Sequence, residues 1–97
     1  MSLPPLEADI QRDVVRIYTA AGWLAIKLDP GTGSIPKGWP DLMCIGMNRH
    51  LFIEMKRGSM GRVEPMQEHY RRLLTLLGQR VVVARTVEEA TAPLEEK

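Results

Sequence analysis

With 97 residues, 44% of them apolar and 26% charged, the chain has the size and composition of one small folded domain, spanning residues 1–97, which excludes a disordered polypeptide. No apolar run approaches the roughly 18–20 residues of a membrane span, and Met1-Ser2-Leu3-Pro4-Pro5 lacks the basic start and apolar stretch of a signal peptide. The net charge of +1 hides an asymmetry: between Ser34 and Arg85 nine Lys/Arg stand against four Asp/Glu, whereas Thr86 to Lys97 holds four Glu and one Lys. A basic middle suits a phosphate-binding face, although taken alone it is also what an ordinary mixed surface looks like. The single cysteine, Cys44, excludes an internal disulfide and fits a reducing, cytoplasmic setting. His50 and His69 have no partners at zinc-ligand spacing.

Leu6, Ile10, Val14, Ile17 and Ala21 follow the helical period, which predicts an amphipathic helix from Leu6 to Ala21 stopped by Gly22. Glu7 sits beside that apolar stripe, either at its solvated edge or with a task. Trp23 to Leu28 reads as a strand. Asp29 to Trp39 holds three glycines and two prolines and reads as a loop. It is not a phosphate loop, because Gly-Lys-Ser/Thr is absent and its prolines forbid the helix that should follow.

Leu42 to Ile45 and Leu51 to Met55 read as two strands around the turn Gly46-Met47-Asn48-Arg49. Arg57 to Arg62 is a basic, glycine-containing loop. Pro65 opens a helix reaching about Leu77, with Met66, Tyr70, Leu73, Leu74 and Leu77 as its stripe and Gly78 as its stop. Arg80 to Ala84 reads as a buried strand, and Thr86-Val87-Glu88-Glu89 is a capping box opening a last short helix. The expected order is α-β-β-β-α-β-α, an α/β domain with a small mixed sheet flanked by helices.

Alternation along a strand puts Ile53 and Met55 on one face and Glu54 and Lys56 on the other. If the two middle strands form a hairpin, Asp41 at its open end approaches Glu54 and Lys56. Mg²⁺ takes oxygen ligands, and carboxylate-held metal neutralises phosphate charge and activates water in phosphodiester hydrolysis. Asp41 and Glu54 are the expected ligands, and Lys56 the group that stabilises developing negative charge. Glu7 adds a carboxylate if its helix packs on this sheet. Each signal alone is common on a solvated strand; together, in order, they are moderately specific.

These residues resemble the PD-(D/E)xK nuclease superfamily and, within it, the virus-type replication-repair nuclease (VRR-Nuc) domain. The likeness runs from Glu7 to about Ala90. It rests on Glu7, Gly38-Trp39-Pro40-Asp41, Ile53-Glu54-Met55-Lys56-Arg57-Gly58, and Gln67 with Tyr70 in the following helix. It implies a restriction-endonuclease-like fold, with Mg²⁺ or Mn²⁺ held by Asp41, Glu54 and the Met55 carbonyl. It also implies a catalytic Lys56, a Gln67 that orients Lys56 or the phosphate, and a Glu7 matching the family's first-helix glutamate. Stand-alone members resemble phage-encoded enzymes, similar in outline to Holliday-junction resolvases. The implied activity is therefore structure-selective DNA cleavage by a homodimer inside a bacterial cell, with flaps or linear DNA as alternative targets. A DNA-binding module with little activity is the rival from another class. Lys37, Arg57, Arg62 and Arg71 are the expected phosphate contacts; Trp23, Trp39 and Met60 are candidates for the dimer interface.

Overall fold

The computed structural model describes residues 7–56 and 65–96. Its elements run α1 (Glu7–Ala20), β1 (Leu24–Lys27), β2 (Leu42–Gly46), β3 (Arg49–Met55), α2 (Pro65–Leu76), β4 (Val81–Ala84) and α3 (Val87–Thr91), followed by a 3₁₀ turn over Ala92–Glu95. Order and type are those expected from the sequence, with boundaries within a residue or two. The four strands form one mixed sheet in the order β1-β2-β3-β4: the first two pairings are antiparallel and β3-β4 is parallel. The parallel pair follows from α2, which carries the chain back between β3 and β4. Among the described residues no helix is long and apolar enough to cross a membrane.

Both long helices stop at the expected glycines. Trp23 N–H donates to the Tyr18 carbonyl and Gly22 N–H to that of Thr19, each at 3.0 Å. Gln79 donates to Leu74 and Gly78 to Thr75 in the same pattern. These are Schellman caps, with a left-handed glycine just past the helix. The β2–β3 connection needs only Met47 and Asn48, and Asn48 takes the left-handed conformation that asparagine tolerates.

Strand alternation assigns the two faces. Leu42, Cys44, Leu51, Ile53, Met55 and Ala84 lie buried with Ile10, Val14 and Tyr18 of α1 and Ala90 of α3. Here the expected stripe of α1 needs correcting: Ile17 and Ala21 are exposed, and Tyr18 is fully buried in their stead. The Tyr18 hydroxyl donates to the Ala90 carbonyl at 2.7 Å, so the polar end of this core residue is satisfied and α1 is tied to α3.

Two further expectations change. In α2 only Leu74 is buried; Met66, Leu73 and Leu77 of the expected stripe are exposed. β4 is not a buried strand but an edge strand, in which Val81 and Val82 are half-buried and Val83 is exposed. Trp23 packs edge-on against Tyr18, with the Arg49 guanidinium 5.0 Å from its ring centre. Trp39 packs against Phe52 and Tyr70. Both indoles thus do intramolecular work; Met60 lies outside the described residues.

Candidate active site

The second face of the sheet carries the chemistry, at the open end of the β2–β3 hairpin. Leu42 pairs with Ile53, which brings Asp41 level with Glu54. Asp41 is fixed by three hydrogen bonds. Its N–H donates to the Ile53 carbonyl at 3.0 Å, its own carbonyl accepts from Leu28 N–H at 2.7 Å, and its Oδ2 accepts from Met55 N–H at 2.8 Å. The carboxylate therefore takes its orientation from the ladder itself.

Glu54 and Lys56 share a face, as alternation requires, and their charged atoms stand 3.8 Å apart. Neither lies on a solvated strand face: Glu54 is 1% exposed and Lys56 4%. Gln67, in the first turn of α2, accepts a hydrogen bond from Lys56 Nζ through its Oε1. One helical turn on, Arg71 lies close enough for its charge to favour the ionised Glu54. Its neighbour Arg72 points elsewhere and pairs with Glu68 at 2.7 Å. Among the phosphate-contact candidates, Lys37 is exposed in the loop before Asp41. The Glu7 side chain, Arg57 and Arg62 lie outside the described residues.

Among the described residues, burial outweighs the cations that favour the two ionised carboxylates. Burial pushes the Glu54 carboxyl above its ordinary 4.5; Lys56 opposes that, Asp41 reinforces it, and Arg71 opposes it more weakly. Burial likewise raises Asp41 above 3.8, against the Met55 hydrogen bond and the charges of Lys56 and Lys27. Glu54 Oε1 is buried and makes no hydrogen bond among the described residues. A buried acceptor without a donor is costly. Two desolvated carboxylates with one orphaned oxygen are the donor set that a hard divalent cation takes up. Mg²⁺ or Mn²⁺ therefore fits, with Asp41 and Glu54 as its side-chain ligands. No group of three or more His, Cys, Asp or Glu gathers among the described residues.

The linkage has a definite sign. A carboxyl raised on folding contributes most stability below its unfolded value, and the contribution is lost as pH rises through the folded value. Glu54→Gln, which leaves one carboxylate facing Lys56, is expected to raise the melting temperature of metal-free protein at pH 8. It should also remove the increase that Mg²⁺ gives the wild type. At about a hundredfold excess over Kd that increase is roughly 2.7 kcal/mol, on the order of 10 °C for this size. Thermal melts with and without chelator test it, and a wild type indifferent to both pH and divalent ions would sink the idea.

Two nearby residues escaped the sequence reading. Lys27, at the end of β1, acts on Asp41 through its charge, and Gln11 of α1 is buried beside it. A cavity of about 280 Å³ opens on Asp41 and is lined by Ala8, Gln11, Lys27, Leu28, Asp29 and Pro30 as well. Pairing the first two strands in register would have found Lys27, because it faces Leu42, next to Asp41.

No protein-family model and no curated protein matches the sequence. A solved structure described as "VRR_NUC domain" matches with a TM-score of 0.77 at 22% sequence identity, over 93% of this chain and 95% of that one. The chain has the VRR_NUC fold. The four-stranded mixed sheet flanked by helices, and its element order, are thus those the resemblance implied. Within this VRR_NUC fold the two carboxylates, the lysine and the helix-borne glutamine come together at one end of the sheet.

Proposed function

We propose that the protein is a metal-dependent deoxyribonuclease that hydrolyses phosphodiester bonds in branched DNA, four-way junctions above all, as a two-fold homodimer. One observation carries this: Asp41, Glu54 and Lys56 meet in a buried cluster that leaves a carboxylate oxygen without a partner. The VRR_NUC fold supports it.

Asp41, Glu54 and the Met55 carbonyl would hold Mg²⁺ or Mn²⁺, with Glu7 adding a carboxylate. When bound, the ion neutralises phosphate charge and makes water acidic enough to attack near neutral pH. Lys56, desolvated and fixed by Gln67, presents its ammonium where negative charge builds on the phosphate. Gln67 keeps that ammonium in place. Lys37, Arg57, Arg62 and Arg71 contact neighbouring phosphates and fix the register of the duplex without reading sequence.

The dimer and the branched target are the finer part of the reading. Symmetric cutting of a junction needs two sites related by a two-fold axis. Leu24 on β1, Leu73 and Leu76 on α2 and Leu77 just after it are exposed and offer apolar surface for a second copy.

The test is cleavage of labelled four-way junction, splayed-arm and linear duplex DNA in Mg²⁺ and Mn²⁺. Paired, symmetric cuts in the junction are expected, none with chelator and none with Asp41→Asn. Asn still accepts the Met55 hydrogen bond, so that variant should fold. Cutting of flaps or duplex instead keeps the chemistry and moves the target. Folded protein that cuts nothing with either metal would leave only a DNA-binding module.

A further inference from the structure

The cavity that opens on Asp41 does not end there. A second cavity of about 310 Å³ shares Ala8, Gln11 and Lys27 with it and continues to Arg12 and Val15 of α1. Together they form a groove between α1 and the end of β1, leading away from the carboxylates. Gln11 is 9% exposed, and its amide makes no hydrogen bond to another described residue. Held in the groove, that amide offers two N–H donors to whatever enters.

The charges in the groove are unequal. Arg12 is already engaged by Asp9 at 3.3 Å and Asp13 at 3.6 Å. Lys27 is exposed and pairs with no carboxylate among the described residues. The carboxylates of the lining are Asp29, which is exposed, and Asp41, whose charge a bound divalent ion would take up. No aromatic ring lines either cavity, so nothing there stacks a base. An ammonium and a primary amide beside a hydrolytic centre are donors for phosphate and sugar oxygens.

We propose that this groove is a phosphate subsite for the DNA strand adjoining the scissile bond, with Lys27 and Gln11 as its binding residues. The inference rests on the nuclease reading above. It makes contact there independent of sequence and dependent on salt.

The test is fluorescence anisotropy with labelled duplex in Ca²⁺ over a salt series, using wild type, Lys27→Ala, Lys27→Arg and Gln11→Leu. Losing one phosphate contact should lower the slope of log K against log salt by about 1. Lys27→Ala should therefore weaken binding roughly tenfold with that drop in slope. Lys27→Arg should restore both. Gln11→Leu should weaken binding at unchanged slope, because it removes no charge. In cleavage assays the Lys27→Ala loss should fall on KM more than on kcat. Lys27 is exposed, so its variants should melt as the wild type does.

Lys27→Ala with wild-type affinity and slope overturns the subsite, as does a loss that Lys27→Arg fails to rescue. Wild-type protein that shows the Lys27-dependent slope but cuts no DNA supports the subsite while removing the enzyme. Folded wild type that binds no DNA overturns both.

Discussion

Lys56→Ala is expected to slow cleavage by roughly 10²–10³-fold and, in metal-free buffer at pH 8, to destabilise the fold by roughly 3–5 kcal/mol. The two losses have different origins. Cleavage falls because no ammonium remains to meet the charge that builds on the phosphate. Stability falls because Glu54, 1% exposed, keeps a buried carboxylate that has lost its ion-pair partner at 3.8 Å. The pH dependence separates them. Without Lys56 the Glu54 carboxyl rises further above its ordinary 4.5, since Lys56 is the largest influence holding it down. The stability deficit should therefore grow as pH rises above that value and shrink in acid, where a protonated Glu54 needs no counter-ion. Urea unfolding at pH 5 and pH 8 measures this. The double variant Lys56→Ala/Glu54→Gln should recover most of the stability and none of the activity. A single variant as stable as wild type at pH 8 would mean that Glu54 carries no buried charge, and the metal reading would lose its main support.

The placement of the candidate site's side chains was legible in the sequence because its geometry is local. A connection of two residues and strict alternation place Asp41 level with Glu54, and Glu54 on the same side as Lys56. Helix stops were equally visible, since Gly22 and Gly78 each follow a periodic run. What periodicity cannot tell is which apolar face finds a partner. Leu73 and Leu77 repeat at the right spacing in α2, yet the helix buries only Leu74. The three valines of β4 suggested cover on both sides. An edge strand has one neighbour, and Val83 is left exposed. The burial of Tyr18 in place of Ile17 rests on an acceptor for its hydroxyl. That acceptor, the Ala90 carbonyl, lies 72 residues away, out of reach of any local pattern. Gln11 escaped for the same reason, because its place near Asp41 depends on how α1 packs beside β1, whereas Lys27 follows from the β1–β2 register.

Gly38→Ala is expected to cost roughly 2–4 kcal/mol of stability and to lower cleavage about as far as Gln67→Ala does. Gly38 has φ +93°, a conformation that strains any residue with a Cβ. An added Cβ would also stand 2.7 Å from the backbone carbon of Met66 and 2.8 Å from its carbonyl oxygen. Met66 is the second residue of α2, so helix backbone and not a pliable side-chain tip has to give way. The residue after it is Gln67, which holds Lys56. The residues after Gly38 continue the same brace: Trp39 meets Tyr70 of α2 at 5.4 Å and Phe52 of β3 at 6.0 Å, and Asp41 follows two positions on. One short segment thus presses α2 onto the hairpin and presents the carboxylate. Displacing the first turn of α2 moves the Gln67 acceptor away from the ammonium while leaving Asp41, Glu54 and Lys56 unchanged in sequence. Gln67→Ala separates the two consequences: it should lose activity at nearly wild-type stability, whereas Gly38→Ala should lose both. The measurements are the urea midpoint and the cleavage rate, taken at a temperature where both variants remain folded. If Gly38→Ala kept the wild-type midpoint and rate, the loop would not be bracing the helix, and the position of Gln67 would need another cause.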